Sequence, residues 1–306
     1  MSKVALIIIY NHQYNENIEK LEKIYSERFS DIYHLVPFYR GKKLNVIPVY
    51  ESSFCFQGYV AQGFKIYNNN KYEHYFFIAD DLLLNPQINE HNYQTELNLN
   101  SSISFIPNLT SLGSAKEFWF HNKDALSYRV DKPGVEVQDK LPDFSTAEES
   151  LRKMGIVNES LSFPQLWRCP DSIKGWLGKL FLDPKFILKF CEYKIKNSKK
   201  RLTYPLVMSY SDIFIISADV INDFCHFCGV FAATDLFVEL AIPTALVLST
   251  QKIILERDIS YQGRALWTKE EFTFFDQFEN NLQVLLNQFP KKYLYLHPVK
   301  LSKWII

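Results

Sequence analysis

Residues 75–86 read YFFIADDLLLNP, with two adjacent carboxylates, Asp80 and Asp81, between two apolar runs. Carboxylates at the end of a buried strand need a partner, because an unpaired buried charge costs several kcal/mol. The partner is a divalent cation, a ligand hydroxyl or a basic side chain. Mg²⁺ and Mn²⁺ fit best, since both prefer hard oxygen ligands and keep water or substrate phosphates in the shell. The bland alternative is a strand end whose acids face water or cap the next helix. A second acidic pair, Asp235 and Glu239, lies in AATDLFVELAIP. The spacing of four places both on one face of a helix. A partly buried carboxylate there could take a proton from a substrate hydroxyl; equally, Lys or Arg from a neighbouring element could hold both acids. Asp212 in SYSDIF, with Tyr210 and Ser211, is either a hydroxyl-binding group or a turn residue. His297 and Lys300 in YLYLHPVK pair an imidazole with an ammonium. Such a pair suits a mixed oxygen and nitrogen shell beside a phosphate, although a lone His is more often structural.

The elements that must position these groups alternate. KVALIII (3–9) has the continuous β-branched character of a strand covered on both faces. A helix follows, with apolar residues at 18, 21, 25 and 29, then strands in DIYHLVPF and LNVIPVY. FQGYVAQGFKIYNN reads as a helix and HYFFIAD as the next strand. The alternation predicts an α/β layer fold with a mainly parallel central sheet flanked by helices, in a single large domain. The middle is less regular, and DKPGVEVQDKLPDF reads as an exposed loop. The later segments predict a strand near 204–217, a helical stretch over 218–243 divided near Gly229, a strand in TALVLS, and an amphipathic helix over 269–289.

The strand, the preceding helix and FFIADDLLLNP together resemble the metal-binding segment of nucleotide-sugar-dependent glycosyltransferases of the GT-A fold, of the bacterial surface-polysaccharide type. Those enzymes carry an Asp-x-Asp-type motif, with x-Asp-Asp variants; here Ala79 stands at the first motif position, so the pattern is incomplete there. The resemblance implies a nucleotide-sugar-binding half (1–105), an acceptor-binding and catalytic half (106–260), and a C-terminal helix and tail (261–306) returning to the site. It implies that Asp81 and His297 hold the metal, Mn²⁺ or Mg²⁺. Asp80 would meet the ribose or donor sugar, Lys300 the diphosphate, and Tyr10 and Asn11 the nucleobase. Glu239 or Asp235 would be the base, while Tyr210 and Asp212 would bind the acceptor. The implied activity is transfer of a sugar from a nucleoside-diphosphate donor, UDP-linked in the first instance, to a hydroxyl of a bacterial glycan, lipid-linked or free.

The formal net charge is zero, with 34 basic and 34 acidic residues, which excludes the one-signed field of a general nucleic-acid binder. Aromatics reach 16%, enough for a thick core or for open stacking surfaces. The five cysteines are scattered and odd in number, and Cys225 and Cys228 read as buried thiols because no second pair stands at zinc spacing. No run is long enough for a secretory core or a membrane span. A cytoplasmic protein is expected, or one at the inner face of the membrane. Lys199-Lys200-Arg201 reads as a solvated face, with an anionic lipid or phosphate contact as the alternative. Two other functions compete. A sugar nucleotidyltransferase would show a Gly-rich basic signature after the first strand, where YNHQYNENIEK has neither. A non-catalytic glycan-binding protein would use the aromatics as platforms.

Overall fold

The computed structural model describes residues 3–114, 119–162, 166, 174–175, 177–178, 185, 187–188, 191 and 200–305. Cys169 and Lys199 lie outside them. The chain opens with β1 (Val4–Ile9), α1 (Asn15–Tyr25), β2 (Ile32–Pro37), β3 (Val46–Val49), α2 (Gln57–Tyr67) and β4 (His74–Ala79). Then come β5 (Leu83–Leu84), α3 (Tyr93–Glu96), β6 (Ser104–Ile106), α4 (Trp119–Ser127) and α5 (Phe144–Lys153). The second half holds β7 (Ile213–Ser217), α6 (Ile221–Ala233), α7 (Val238–Ser249), β8 (Ile253–Leu255), β9 (Gln262–Ala265), α8 (Lys269–Phe272), α9 (Leu282–Asn287) and β10 (Tyr293–His297).

Seven strands form one sheet in the order β3-β2-β1-β4-β7-β6-β8. β1 pairs in parallel with β2 and β4, and every residue of β1 and β4 is buried. That double coverage is why both strands read as unbroken apolar runs. β7 runs antiparallel to β4 and to β6, and β6 pairs in parallel with β8, so the fold is α/β with a mixed sheet.

Side-chain alternation along the strands divides the core in two. Ala5, Ile7, Ile9, Phe77 and Phe214 face the layer that holds α2, α6 and α7. Val4, Leu6, Ile8, Phe76 and Ile215 face α1 and the C-terminal segment. Phe77 and Phe214 stack across the β4–β7 pair, with ring centroids 4.7 Å apart. On α1 the buried stripe is Ile18, Leu21 and Tyr25, joined by the amide of Asn17. α2 is helical despite its glycines because they admit close neighbours: a Cβ on Gly58 would meet Ala232 of α6 at 3.0 Å.

Several expectations are corrected. TALVLS is not a strand but the second half of α7. That helix is apolar almost all round and buried, a case in which periodicity cannot tell strand from helix. The division expected near Gly229 falls instead at residues 234–237, and α6 runs through Gly229. Residues 269–289 break into α8, a 3₁₀ stretch over Thr273–Phe278 and α9, because Glu279 and Asn280 both take left-handed backbone. Residues 131–143 are loop, and helix resumes at Phe144. No described helix is long and apolar enough to cross a membrane.

Candidate functional site

The acidic pair lies at the carboxyl end of β4, the edge at which open α/β sheets take ligands. Two backbone bonds fix it there: the Asp80 N–H donates to the Ile9 carbonyl (2.8 Å), and the Ala79 N–H to the Asp212 carbonyl (2.8 Å). Because β7 is reversed, its amino-terminal end shares this edge, and Asp212 precedes it by one residue. The C-terminal segment arrives through a second sheet, in which β10 pairs antiparallel with β5 and parallel with β9. The Val299 N–H then donates to the Asp81 carbonyl at 2.6 Å. His297 therefore meets Asp81 although 216 positions apart in number would separate them in an extended chain.

The side chains converge. His297 Nε2 is 3.2 Å from Asp81 Oδ1 and 3.8 Å from Asp212 Oδ2. Asp80 is 4% exposed and accepts from Asn17 Nδ2 at 3.1 Å. Burial, reinforced by the charge of Asp81, pushes the Asp80 carboxyl up to about 7, against the pull of Asn17 and the Asn11 backbone. Burial also lifts Asp212 to about 6, with Asp81 and Glu239 adding to the effect and His297 opposing it. For His297, burial works against the charged imidazolium, but Asp81 and Asp212 outweigh it and raise the group above its ordinary value. Three acids and one imidazole thus share a site that is short of positive charge.

The fit to a divalent ion rests on buried atoms. Asp81 Oδ1 is buried without a hydrogen-bond partner and stands in ion-pair contact with His297 Nε2, while the unpartnered His297 Nδ1 faces the other side of the ring. Two ligands on adjacent corners of an octahedron with bonds of about 2.1 Å stand roughly 3 Å apart, close to the observed 3.2 Å between Oδ1 and Nε2. Among the described residues no three such side chains form a ready-made cage. A pair of protein ligands suits an ion that completes its shell with substrate phosphates and water. Lys300, exposed, stands three residues beyond His297.

Beside this cluster opens a cleft of 1270 Å³ whose lining includes Tyr210, Phe237, Glu239, Trp267 and Tyr295. Tyr210 stacks on Tyr295 at 5.6 Å and meets the His297 ring edge-on at 5.7 Å, while the exposed Trp267 flanks His297 at 5.9 Å. Glu239 lies in the first turn of α7. Four residues on, Pro243 has no N–H to give the Glu239 carbonyl. That carbonyl instead accepts from the Ser209 N–H at 3.0 Å, which ties Glu239 to the segment leading into Tyr210 and Asp212. The carboxylate of Glu239 is hydrogen-bonded to His121 of α4.

Gly263, on β9, lies under Tyr295. A Cβ there would fall 2.2 Å from the Tyr295 ring, which is buried and already stacked. Gly263→Ala is expected to lose about 2 kcal/mol and to lower the melting temperature. An unchanged melting temperature would show that Tyr295 moves freely.

Not every expected residue joins the cluster. Asp235 does not share a helical face with Glu239. It sits at φ 55 in the turn between α6 and α7, exposed and paired with Lys132. Asp235 is therefore removed as a base candidate by its own geometry. Tyr10 cannot stack on a base: its ring is 0% exposed and its hydroxyl meets His34 Nδ1 at 2.9 Å. The even-numbered side chains of β1 point into the core on the α1 side, and Tyr10 continues that series. Asn11 remains at the edge, with its backbone directed to Asp80. Lys200 forms a bridge with Leu161, next to the exposed Arg201. Cys225 and Cys228 are free, buried thiols.

Sequence reasoning passed over Asn17, His121, Trp267 and Tyr295. Only Asn17 carried a signal, as an amide placed beside the apolar stripe of α1. No family model matches the chain, and comparison with curated proteins and with solved structures likewise returns no match.

Proposed function

We propose that the protein is a metal-assisted glycosyltransferase that moves a sugar from a nucleoside-diphosphate donor to a hydroxyl of a glycan acceptor, on a GT-A-like arrangement. The observation that carries this reading is the convergence of Asp80, Asp81, Asp212 and His297 on one sheet edge, beside a cleft lined by Glu239 and aromatic rings. Asp81 and His297 would hold the ion. When bound, Mn²⁺ or Mg²⁺ would neutralise charge developing on the leaving diphosphate.

The chain's own residues supply the rest. Asp80, steadied by Asn17, would accept from a hydroxyl of the donor. Lys300, exposed and three residues beyond His297, would meet the diphosphate. Tyr210 and Asp212 would orient the acceptor, and Glu239 would take its proton as the hydroxyl oxygen attacks the anomeric carbon. That leaves the anomeric carbon–phosphate oxygen bond to break, with its electron pair departing on the diphosphate.

Thermal shift tests the reading directly. Ligand that binds only the folded chain raises its stability by about 2.7 kcal/mol at one hundred times Kd. A UDP-sugar with Mn²⁺ is expected to raise the melting temperature more than either component alone. If no UDP- or GDP-sugar does so with either metal, the reading fails and a non-catalytic glycan-binding role takes its place.

A further inference from the structure

We infer that His121 is a positioning residue that presents the Glu239 carboxylate to the acceptor hydroxyl; the role rests on the transferase reading above. The two residues stand 118 apart in sequence, and His121 Nε2 meets Glu239 Oε2. The imidazole is wholly buried, whereas the Glu239 side chain is 25% exposed and lines the cleft. The protein thus keeps the imidazole inside and turns the carboxylate toward the cleft.

The surroundings restrict the imidazole. Its ring lies 4.0 Å from the ring of Phe120 and 5.2 Å from that of Phe237, which meets it edge-on. A side chain packed in this way holds one rotamer, and the rotamer fixes where Nε2 points. With Glu239 ionised, Nε2 carries the proton and donates it to Oε2. Oε1 has no hydrogen bond among the described residues. One oxygen is therefore committed to the protein and the other is left for substrate. The Glu239 backbone is anchored as well, through the Ser209 N–H. Anchoring at both ends limits the side-chain torsions that would otherwise carry the carboxylate out of line with the acceptor, and small misplacements of a catalytic group cost rate steeply.

In the step, the acceptor O–H proton passes to Glu239 Oε1 as its oxygen bonds to the anomeric carbon. The diphosphate leaves with the electron pair of the broken bond. His121 keeps its Nε2 proton throughout, so its part is to orient rather than to relay.

Two substitutions separate orientation from packing. Gln carries a side-chain N–H at about the reach of Nε2, and Leu fills space without one. His121→Leu is expected to lower kcat for transfer about 100-fold with little change in donor KM, and His121→Gln to recover most of that loss. A second readout does not depend on turnover. In ¹⁵N-histidine-labelled protein, the Nε2 proton of His121 is expected as a downfield, slowly exchanging NMR signal that moves upfield in Glu239→Gln. Full kcat in a folded His121→Leu variant, or Gln performing no better than Leu, would overturn the role. Turnover by the wild type with the downfield signal missing would overturn it too, leaving the transferase reading in place. The signal present with no donor ever consumed would instead sink the transferase reading, and the role with it.

Discussion

Asp81→Ala is expected to lower sugar transfer on the order of 10³-fold or more while the chain still folds. Removing a single charge-stabilising group at a developing anion costs roughly 10² to 10³, and Asp81 would also hold the ion on which that stabilisation depends. The carboxylate is 26% exposed and its backbone carbonyl, not its side chain, receives the Val299 N–H. The β5–β10 pairing that delivers the tail should therefore survive the substitution. Two measurements belong together: turnover of UDP-sugars with Mn²⁺, and Mn²⁺ affinity followed by electron paramagnetic resonance. Loss of both, with near-wild-type circular dichroism, is the expected pair of results. Retained turnover with tight Mn²⁺ would move the metal elsewhere.

Asp80→Asn should raise the stability of the metal-free protein, and the gain should depend on pH. In the unfolded chain Asp80 titrates near its ordinary 3.8; in the folded chain burial and Asp81 hold it near 7. Between those values the folded state binds the extra proton. Wild-type stability arising from this group is therefore greatest on the acid side and declines as pH rises through that window. The gap corresponds to roughly 4 kcal/mol. Asn does not titrate, so the variant escapes the decline. Denaturant titrations in EDTA at pH 4 and pH 8 should show little difference between variant and wild type at pH 4 and a clear advantage for the variant at pH 8. Asp212, raised to about 6 by burial and its charged neighbours, acts in the same direction. An equal advantage at both pH values would mean that Asp80 is ionised throughout. The same substitution is expected to weaken donor binding, since a carboxylate kept against its stability preference is a mark of a functional site.

The acidic pair was legible because its flanks are so apolar: the six buried residues of β4 before it place the charges at the end of a covered strand rather than on a solvated tip. His297 was legible in kind, as an imidazole closing a strand-like run. What could not be read locally is distance through space. His121 lies in an aromatic run with nothing to mark it, and only the packing of α4 against α7 brings it to Glu239. Asp235 misled for the opposite reason. Its spacing from Glu239 suits a helix, but the left-handed turn between them places it on the surface. Tyr10 shows how finely strand alternation discriminates, because one position decides between core and ligand edge. Aromatic content alone could not choose between core and platform; here Tyr59, Tyr67 and Tyr75 are fully interior while Trp267 is open.

The reversed strand has a consequence for how such a molecule can vary. β6 and β7 are hydrogen-bonded neighbours, yet residues 107–212 lie between them. In topological terms they form a hairpin whose long connection contributes Pro107, Thr110, Phe120, Ser209 and Tyr210 to the lining of the cleft. Loop closure becomes only slowly costlier with length. Descendants of this chain could therefore lengthen, shorten or exchange that insertion while the ladder, the acidic pair and His297 stayed in register. On the transferase reading, acceptor preference would then diverge faster than the sheet that holds the acidic pair.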